Sequence, residues 1–494
     1  MKKNGIVLKA FEDAEEQSIS DLLKVTGIPR ATLKRYLNRL VEENRLQPVG
    51  EGRGRYYRLI QASSLAAVLK SGSQVEYLSY MEGRYGFEYD SGYRGKKLDG
   101  LKEERTLSDT LFAVFENLIP ESDRRDSYLA EDKNLVEILL ELENTHGDFD
   151  FVPIDRLPYR QESYASRRNW ISVKDEILQK QRFPNILDVT IEIDKAVLEA
   201  KGKHSSLSGY QNKIDVNVDF EIKRVAQGSG ALYLLKPYSV ESAVYDFRDK
   251  NQIYLPYLGL NEHLFMSFAK NEYGFDVPYS GVIAGERDFH YLVKRYDRHG
   301  GYKYEQRDFA QIMGIKSDQK YFTSSEKLFD AIAGVAKSKE ERLRFLEFYL
   351  FSFVIEHADL HLKNISIINI GRGKHRLSPL YDLISNGVYR GDSDALGLPL
   401  GGKKQNISIG DFYSLAGRIG ISRLQTKKSA KKIVDIFIEA FPGYIEASRK
   451  IELFEGLRIQ KNRYAFSDFP AYLEKFYQRR ARRLAQFLKE GRGD

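Results

Sequence analysis

The 494-residue chain contains no cysteine, which excludes disulfides, thiolate metal centres and thiol nucleophiles and is compatible with a reducing compartment. Long apolar runs are missing too. The longest, Phe348 to Ile355 with one serine inside it, falls well short of the roughly 18 residues that a membrane span requires. The first thirty residues alternate charged and apolar positions without an apolar signal core, so a cytoplasmic address and no membrane partner are the default expectation. No internal repeat or low-complexity tract stands out. What is present is 42% hydrophobic, 12% aromatic and 30% charged residues, enough for sizeable cores and too apolar for disorder. At roughly 150 residues per domain, the length predicts about three folded units. Lys plus Arg number 77 against 70 Asp plus Glu, a net of +7. That is compatible with nucleic acid or phosphate ligands without requiring them, so the placing of the charge decides.

Residues 1–60 stand apart. Ser18 to Val25 reads as a short helix, Thr26-Gly27-Ile28-Pro29 breaks it, and Arg30 to Glu43 resumes with Leu33, Leu37, Leu40 and Val41 at helical spacing. Pro29 suits a first turn, where its missing N–H would lack a partner in any case. The other faces of the second helix carry Arg30, Thr32, Lys34, Arg35, Asn38 and Arg39 with no acid before Glu42, as expected of a helix lying in a major groove between phosphates. Two strand-like stretches, Arg45 to Val49 and Arg55 to Leu59, flank a glycine-rich hairpin whose Arg53, together with Arg55, is placed to reach a DNA backbone or minor groove. This stretch resembles winged helix-turn-helix domains, which implies double-stranded DNA as a partner and, for readers of two half-sites, a homodimer. The competing reading is a solvated basic face on a protein-binding module.

Residues 61–150 show short strand-like runs, among them Tyr85 to Tyr89, and a helical stretch from Asn134 to Asn144. From Phe151 to about Lys203 periodicity is weak, and a connection or small insertion is expected. The densest signal lies between Ser205 and Asp382. A small-residue loop holding Ser206, Ser208 and Gly209 lets backbone N–H groups approach a phosphate, and Lys236, leaving a strand, can meet phosphates as well. Glu262, early in a helical pattern, is positioned to orient that lysine. Tyr291 to Asp297 reads as a strand running into a polar turn. The strongest piece is Glu356-His357-Ala358-Asp359-Leu360-His361-Leu362-Lys363-Asn364, followed by Asp382. Phosphoryl transfer needs a carboxylate to accept the attacking hydroxyl's proton and oxygen ligands for Mg²⁺, and Asp359, Asn364 and Asp382 are of those types. A zinc site on His357 and His361 is the weaker alternative, because their spacing helps only on a helix. Arg479 to Arg483, on a C-terminal helix, reads as a solvated face, with a second nucleic-acid site as the competing reading.

In this order the motifs resemble those of the HipA-like bacterial toxin serine/threonine kinases, from about residue 75 to 485. Phe115 to Asp123 looks like the family's signature in a small preceding domain, Ser206 to Lys213 like its phosphate loop, Lys294 to Arg298 like its hinge, Asp359 to Asn364 like its catalytic loop, and Leu380-Tyr381-Asp382 like its metal motif. The resemblance implies an α+β fold: a bilobal protein-kinase-like core preceded by a small α/β subdomain and the winged helix. The expected domains are 1–60, 61–150, an N-lobe with insertion over 151–300 and a helical C-lobe over 301–494. It implies ATP and Mg²⁺ as cofactors, with Asp359 catalytic and Asn364 and Asp382 on the metal. Ser206, Ser208, Gly209, Lys236, Arg295, Tyr296, Asp297, His361 and Lys363 would bind ATP, and Glu262 would orient Lys236. It further implies autophosphorylation of Ser206 or Ser208, where about two added negative charges would repel ATP. A cytoplasmic protein, with an aminoacyl-tRNA synthetase as first candidate, is the implied substrate. With its own winged helix, the chain does not require a separate antitoxin. Two alternatives stay open: a small-molecule kinase of the aminoglycoside or choline type, since His357 to His361 also looks like that catalytic loop, and a DNA-binding regulator whose kinase fold senses nucleotide.

Overall fold

The computed structural model describes residues 6–7, 9–11, 16–42, 46–50, 55–59, 64–90, 92–121, 133–142, 144–156, 169–187, 191–194, 197, 213–228, 230–238, 255–285, 288–371, 373–389, 396–451 and 469–490. Ser206, Ser208, Gly209 and Arg53 therefore lie outside the described residues. Among those described, no helix is long and apolar enough to cross a membrane.

The chain begins with β1 (Glu16–Ser18), α1 (Ile19–Thr26), α2 (Arg30–Glu42), β2 (Leu46–Val49) and β3 (Tyr56–Leu59). Ser18 caps α1 by accepting from Asp21 N, and Gly27 ends it at φ 62°, the left-handed conformation that glycine adopts without strain. The apolar stripe does what its spacing predicts: Leu33, Leu37 and Leu40 are buried with Leu22, Leu46 and Tyr57. The sheet runs β1-β3-β2. β1 was not expected from the sequence, because three polar residues carry no readable alternation; it is held by pairing with β3 and by an Arg58–Glu16 ion pair of 2.5 Å.

A second unit follows: β4 (Ser64–Lys70), β5 (Ser73–Met81), β6 (Arg84–Tyr89), β7 (Arg105–Ser108), α3 (Ala113–Glu116), α4 (Leu135–Glu141) and β8 (Phe149–Pro153). Its antiparallel sheet has the order β7-β6-β5-β4-β8. β8 crosses the boundary expected at residue 150, since Phe149 to Pro153 pairs with β4 along its whole length. The connection or small insertion expected over 151–203 is described only in part. Beyond β8 it holds α5 (Trp170–Leu178), whose single tryptophan is buried, and β9 (Glu192–Ile193).

Within this unit Glu76 on β5 lies across from Val68 and Tyr89 in the sheet, is wholly buried, and has no hydrogen-bond partner for either carboxylate oxygen among the described residues. Burial pushes its carboxyl well above the ordinary range. Because the folded-state pKa is raised, the fold favours the protonated form. Stability is highest below the unfolded carboxyl's pKa, falls as pH rises by at most about 1.4 kcal/mol per unit, and levels off above the folded pKa. Glu76→Gln should flatten this dependence, and Glu76→Met should raise the unit's unfolding midpoint at pH 8 more than at pH 5. Denaturant titrations at the two pH values decide it; equal shifts would place a charged glutamate in the core.

The rest of the chain builds two lobes. β10 (Ile214–Asp219), β11 (Arg224–Gln227), β12 (Tyr233–Lys236), β13 (Ser280–Ala284) and β14 (Phe289–Lys294) join β9 in a six-stranded sheet ordered β13-β14-β12-β10-β11-β9, with α6 (Leu258–Asn271) against it. The short pair β15 (Arg298–His299) and β16 (Tyr302–Lys303) precedes a small sheet of β17 (Gln306–Asp308), β18 (Ser366–Gly371) and β19 (Lys374–Leu377). The second lobe is mostly helical: α7 (Phe309–Met313), α8 (Ser325–Val335), α9 (Lys339–Val354), α10 (Ile409–Arg418), α11 (Arg423–Arg449) and α12 (Phe469–Glu490). One aromatic-rich core runs through these helices and α6. A cleft lies where the six-stranded sheet, α6, β17 and the turn at Asp382 meet.

Candidate active site

Lys236 ends β12, and its ammonium is buried 5.4 Å from the centre of the Tyr291 ring on the neighbouring strand. Glu262 comes from the first half of α6. That helix lies hard on β14, since a Cβ on Gly259 would stand 2.9 Å from the Phe289 carbonyl oxygen. The close approach drives Glu262 to Lys236, and Nζ donates to both carboxylate oxygens at 2.7 and 2.8 Å. The same ammonium also donates to Asp382, whose other oxygen accepts from Lys213 at 2.8 Å. Asn364 Nδ2 lies 3.5 Å from that second oxygen. Lys236, Glu262, Asn364 and Asp382, spread over 147 positions, thus come together, and all but Asn364 line the cleft, whereas Asp359, expected to converge with Lys236, Asn364 and Asp382, is not among the residues lining it.

The charges regulate one another. Burial opposes the charge on Lys236, but Asp382 and Glu262 outweigh it and hold the lysine protonated above its usual range. Burial pushes Asp382 upward, yet the two lysines win and keep it ionised far below the usual carboxylate range. Glu262, more deeply enclosed, is raised by burial. Lys213 closes the Ser206-to-Lys213 motif. Burial and the neighbouring Lys236 lower its pKa despite Asp382. The Asp382 carboxylate and the Asn364 amide oxygen, which here accepts from the His361 N–H while Nδ2 faces Asp382, are hard oxygen donors of the kind a small divalent cation takes.

The second half of the site follows α9. Glu356, at φ 53°, turns the chain out of the helix, and Asp359 lies half-buried on the loop. Its Oδ1 accepts a hydrogen bond from the Tyr321 hydroxyl. His361 caps a short 3₁₀ turn, Leu362–Asn364, where its N–H donates to Asn364 Oδ1 at 3.2 Å. His357 and His361 sit on irregular chain rather than on one helix face, which removes the geometric premise for zinc. His361 is buried with its ring edge-on to Tyr321 at 4.9 Å. Lys363 borders the cleft, yet its ammonium is already held by Asn117 O and Ser317 Oγ, both at 3.0 Å, and by Glu121 at 3.1 Å. The Phe115-to-Asp123 signature therefore clasps the loop that carries Asp359. That is a role for Lys363 the sequence reading, which gave it to ATP, did not include.

The hinge residues also line the cleft, but their charged ends are engaged elsewhere. Arg295 donates to Asp215 at 2.5 Å and to both oxygens of Asp297, which further accepts from Arg298 at 2.8 Å and from Gly147 N at 3.1 Å. All four side chains are buried, and Arg298 binds the Gly147 carbonyl as well, so this cluster fastens the small unit to the hinge. The Tyr296 carbonyl accepts from Trp170 Nε1 at 2.9 Å. What Arg295 and Asp297 leave to a ligand is backbone rather than charge.

The expectation of a solvated Arg479-to-Arg483 face holds for Arg482 and Arg483, which are exposed, and is corrected for Arg479 and Arg480. Arg479 forms a two-pronged pair with Glu356 at 2.8 and 2.6 Å, and Arg480 is wholly buried with an amine 3.5 Å from the same carboxylate. A Cβ on Gly387 would fall 1.9 Å from Glu356 Oε2, so only glycine leaves room for this pair.

Residues 205–443 match the HipA-like C-terminal domain family, and residues 13–60 match the C-terminal domain of DIP2311-like transcriptional regulators. Among curated proteins, a Sinorhizobium fredii protein named "Putative kinase Y4dM" is 30% identical over 204 residues, 38% of this chain and 49% of that relative. Y4mE of the same organism, similarly named, is 27% identical over 261 residues, 50% of this chain and 58% of the relative. The chain thus spans about half the length of the curated relatives it matches. Among solved structures, HipA of Shewanella oneidensis MR-1, from a complex of HipA, HipB and operator DNA, superposes with a TM-score of 0.56 at 16% identity over 86% of this chain and 97% of that one. That likeness establishes the mixed α+β fold. Sequence match, fold and ordered motifs point the same way: residues 205–443 are similar to the HipA-like C-terminal domain family, and the curated relatives that align with the chain are named putative kinases.

Proposed function

We propose that this chain is an ATP- and Mg²⁺-dependent serine/threonine protein kinase of the HipA-like toxin type, able to phosphorylate its own Ser206 or Ser208 and a cytoplasmic protein target. The observation that carries the reading is the meeting of Lys236, Glu262, Asp382 and Asn364 beside the loop of Asp359. When bound, Mg²⁺–ATP supplies the transferable phosphoryl group and neutralises its charge. Asp382 and Asn364 would hold the metal, on the carboxylate that Lys213 also pairs with. Lys236, kept in line by Glu262, pairs with the phosphates. Asp359 orients the acceptor hydroxyl and takes its proton at Oδ2, Oδ1 being bonded to Tyr321. The serine loop joins Lys213, so phosphate added at Ser206 or Ser208 enters chain that leads directly to a residue on Asp382.

The front of the chain is proposed as a winged helix-turn-helix that binds double-stranded DNA as a homodimer for autoregulation. Two antecedent helices, a three-stranded sheet ending in a hairpin and the similarity of residues 13–60 to a regulator domain support it. Arg30, Lys34, Arg35, Asn38 and Arg39 are exposed on α2, Thr32 is half-buried among them, and Arg55 is exposed over Tyr57. The domains proposed are 1–60, 61 to the end of β8, an N-lobe to about 300 and a helical C-lobe from 301.

Incubating the purified chain with radiolabelled ATP and Mg²⁺ tests the enzymatic reading. Label on Ser206 or Ser208, abolished by chelating the metal, is expected. A chain that stays unlabelled but phosphorylates an aminoglycoside or choline belongs with the small-molecule kinases instead.

A further inference from the structure

The residue the catalytic-loop motif does not contain, yet which touches its key carboxylate, is Tyr321. It follows a 3₁₀ turn, Ser317–Gln319, and lies 38 residues ahead of Asp359. We infer that Tyr321 is a positioning residue for phosphoryl transfer: its hydroxyl donates to Asp359 Oδ1, fixes the carboxylate's rotation and leaves Oδ2 as the single oxygen facing the acceptor. This rests on the reading of Asp359 as the base.

Three features show a built contact. The segment is anchored from behind, because Lys320 Nζ donates to Glu121 at 2.6 Å and Lys320 O accepts from Leu362 N at 3.5 Å. The ring is set edge-on against His361 at 4.9 Å, which fixes the hydroxyl's direction. The phenol remains a donor, since burial and then the Asp359 charge keep its pKa well above the ordinary value. Glu121 ties both Lys320 and Lys363, so the small unit grips the two segments that hold Tyr321 and Asp359 at one carboxylate. A free carboxylate rotates between equivalent oxygens, whereas one with a fixed donor on Oδ1 does not.

Tyr321→Phe keeps the ring and removes only the hydroxyl. The expected result is a fall in kcat of about 10- to 100-fold with little change in KM for ATP, of the size that misplaced catalytic groups produce. Glu121→Gln, which loosens the anchor, should also lower kcat with KM for ATP kept. Thermal melts of the variants report the fold separately. Unchanged kcat in a folded Tyr321→Phe protein overturns the inference while the kinase reading stands. A wild-type protein without phosphotransfer overturns both. Phosphate found on Tyr321 by mass spectrometry would make the phenol an acceptor and overturn the positioning role.

Discussion

Asp359→Ala should lose phosphotransfer by about 10³-fold or more while binding DNA like the parent, and Arg35→Ala should do the reverse. A positioned general base contributes roughly 10²- to 10⁴-fold, and here its removal also strands the Tyr321 hydroxyl that it holds. The half-buried Asp359 carries no core packing, so the fold should survive. Nucleotide affinity should survive as well, because Lys236, Glu262 and Asp382 form their cluster without it. Arg35 is exposed on α2, far along the chain from the cleft. If it neutralises a DNA phosphate, its loss should weaken binding across sequences alike and reduce the slope of log affinity against log salt by about one. Label incorporation and fluorescence anisotropy on a duplex, read on both variants, separate the activities. An Asp359→Ala protein with normal labelling would sink the assignment of the base, and an Arg35→Ala protein with an unchanged salt slope would remove α2 from the interface.

The sequence made legible whatever was written in short spans. Leu33, Leu37 and Leu40 announce α2 because one helical face must be apolar, and Asp359, Asn364 and Asp382 announce a phosphate–metal site because that chemistry restricts residue type. Lys236 and Glu262 were paired by analogy, and their meeting is visible only once Gly259 lets α6 down onto β14. The supports were not legible. Lys363 reaches Asn117 across 246 residues, Tyr321 reaches Asp359 across 38, and Arg479 reaches Glu356 across 123. In each case the partner is an ordinary polar residue whose neighbours give no sign of it. Arg479 and Arg480 misled most, because a run of arginines on a helix is usually solvated, and nothing local marks the carboxylate that draws two of them inward. The hinge differed for a related reason. Two arginines and two aspartates in one place look like ligand contacts, yet in the fold they neutralise each other and fasten the small unit.

That inward-drawn pair yields the second large effect. Glu356 is 2% exposed and Arg480 not at all, and the Arg480 guanidinium also donates to the Val354 carbonyl at 2.9 Å, at the end of α9. Removing one partner of a buried pair leaves an uncompensated charge, which costs about 3–5 kcal/mol, whereas replacing both by well-packed apolar groups is often neutral. Glu356→Ala should therefore lower the C-lobe's unfolding midpoint sharply, and Glu356→Leu combined with Arg480→Met should recover much of the loss. Activity should not recover with it. Glu356 sets the turn into the loop at φ 53° and lies three residues before Asp359, and the double variant still lacks the Arg479 prongs that hold that turn. Chemical denaturation and phosphotransfer measured on the same preparations give the two readouts. Full activity in the stability-rescued double variant would show that α12 holds the lobe together without steering the catalytic loop.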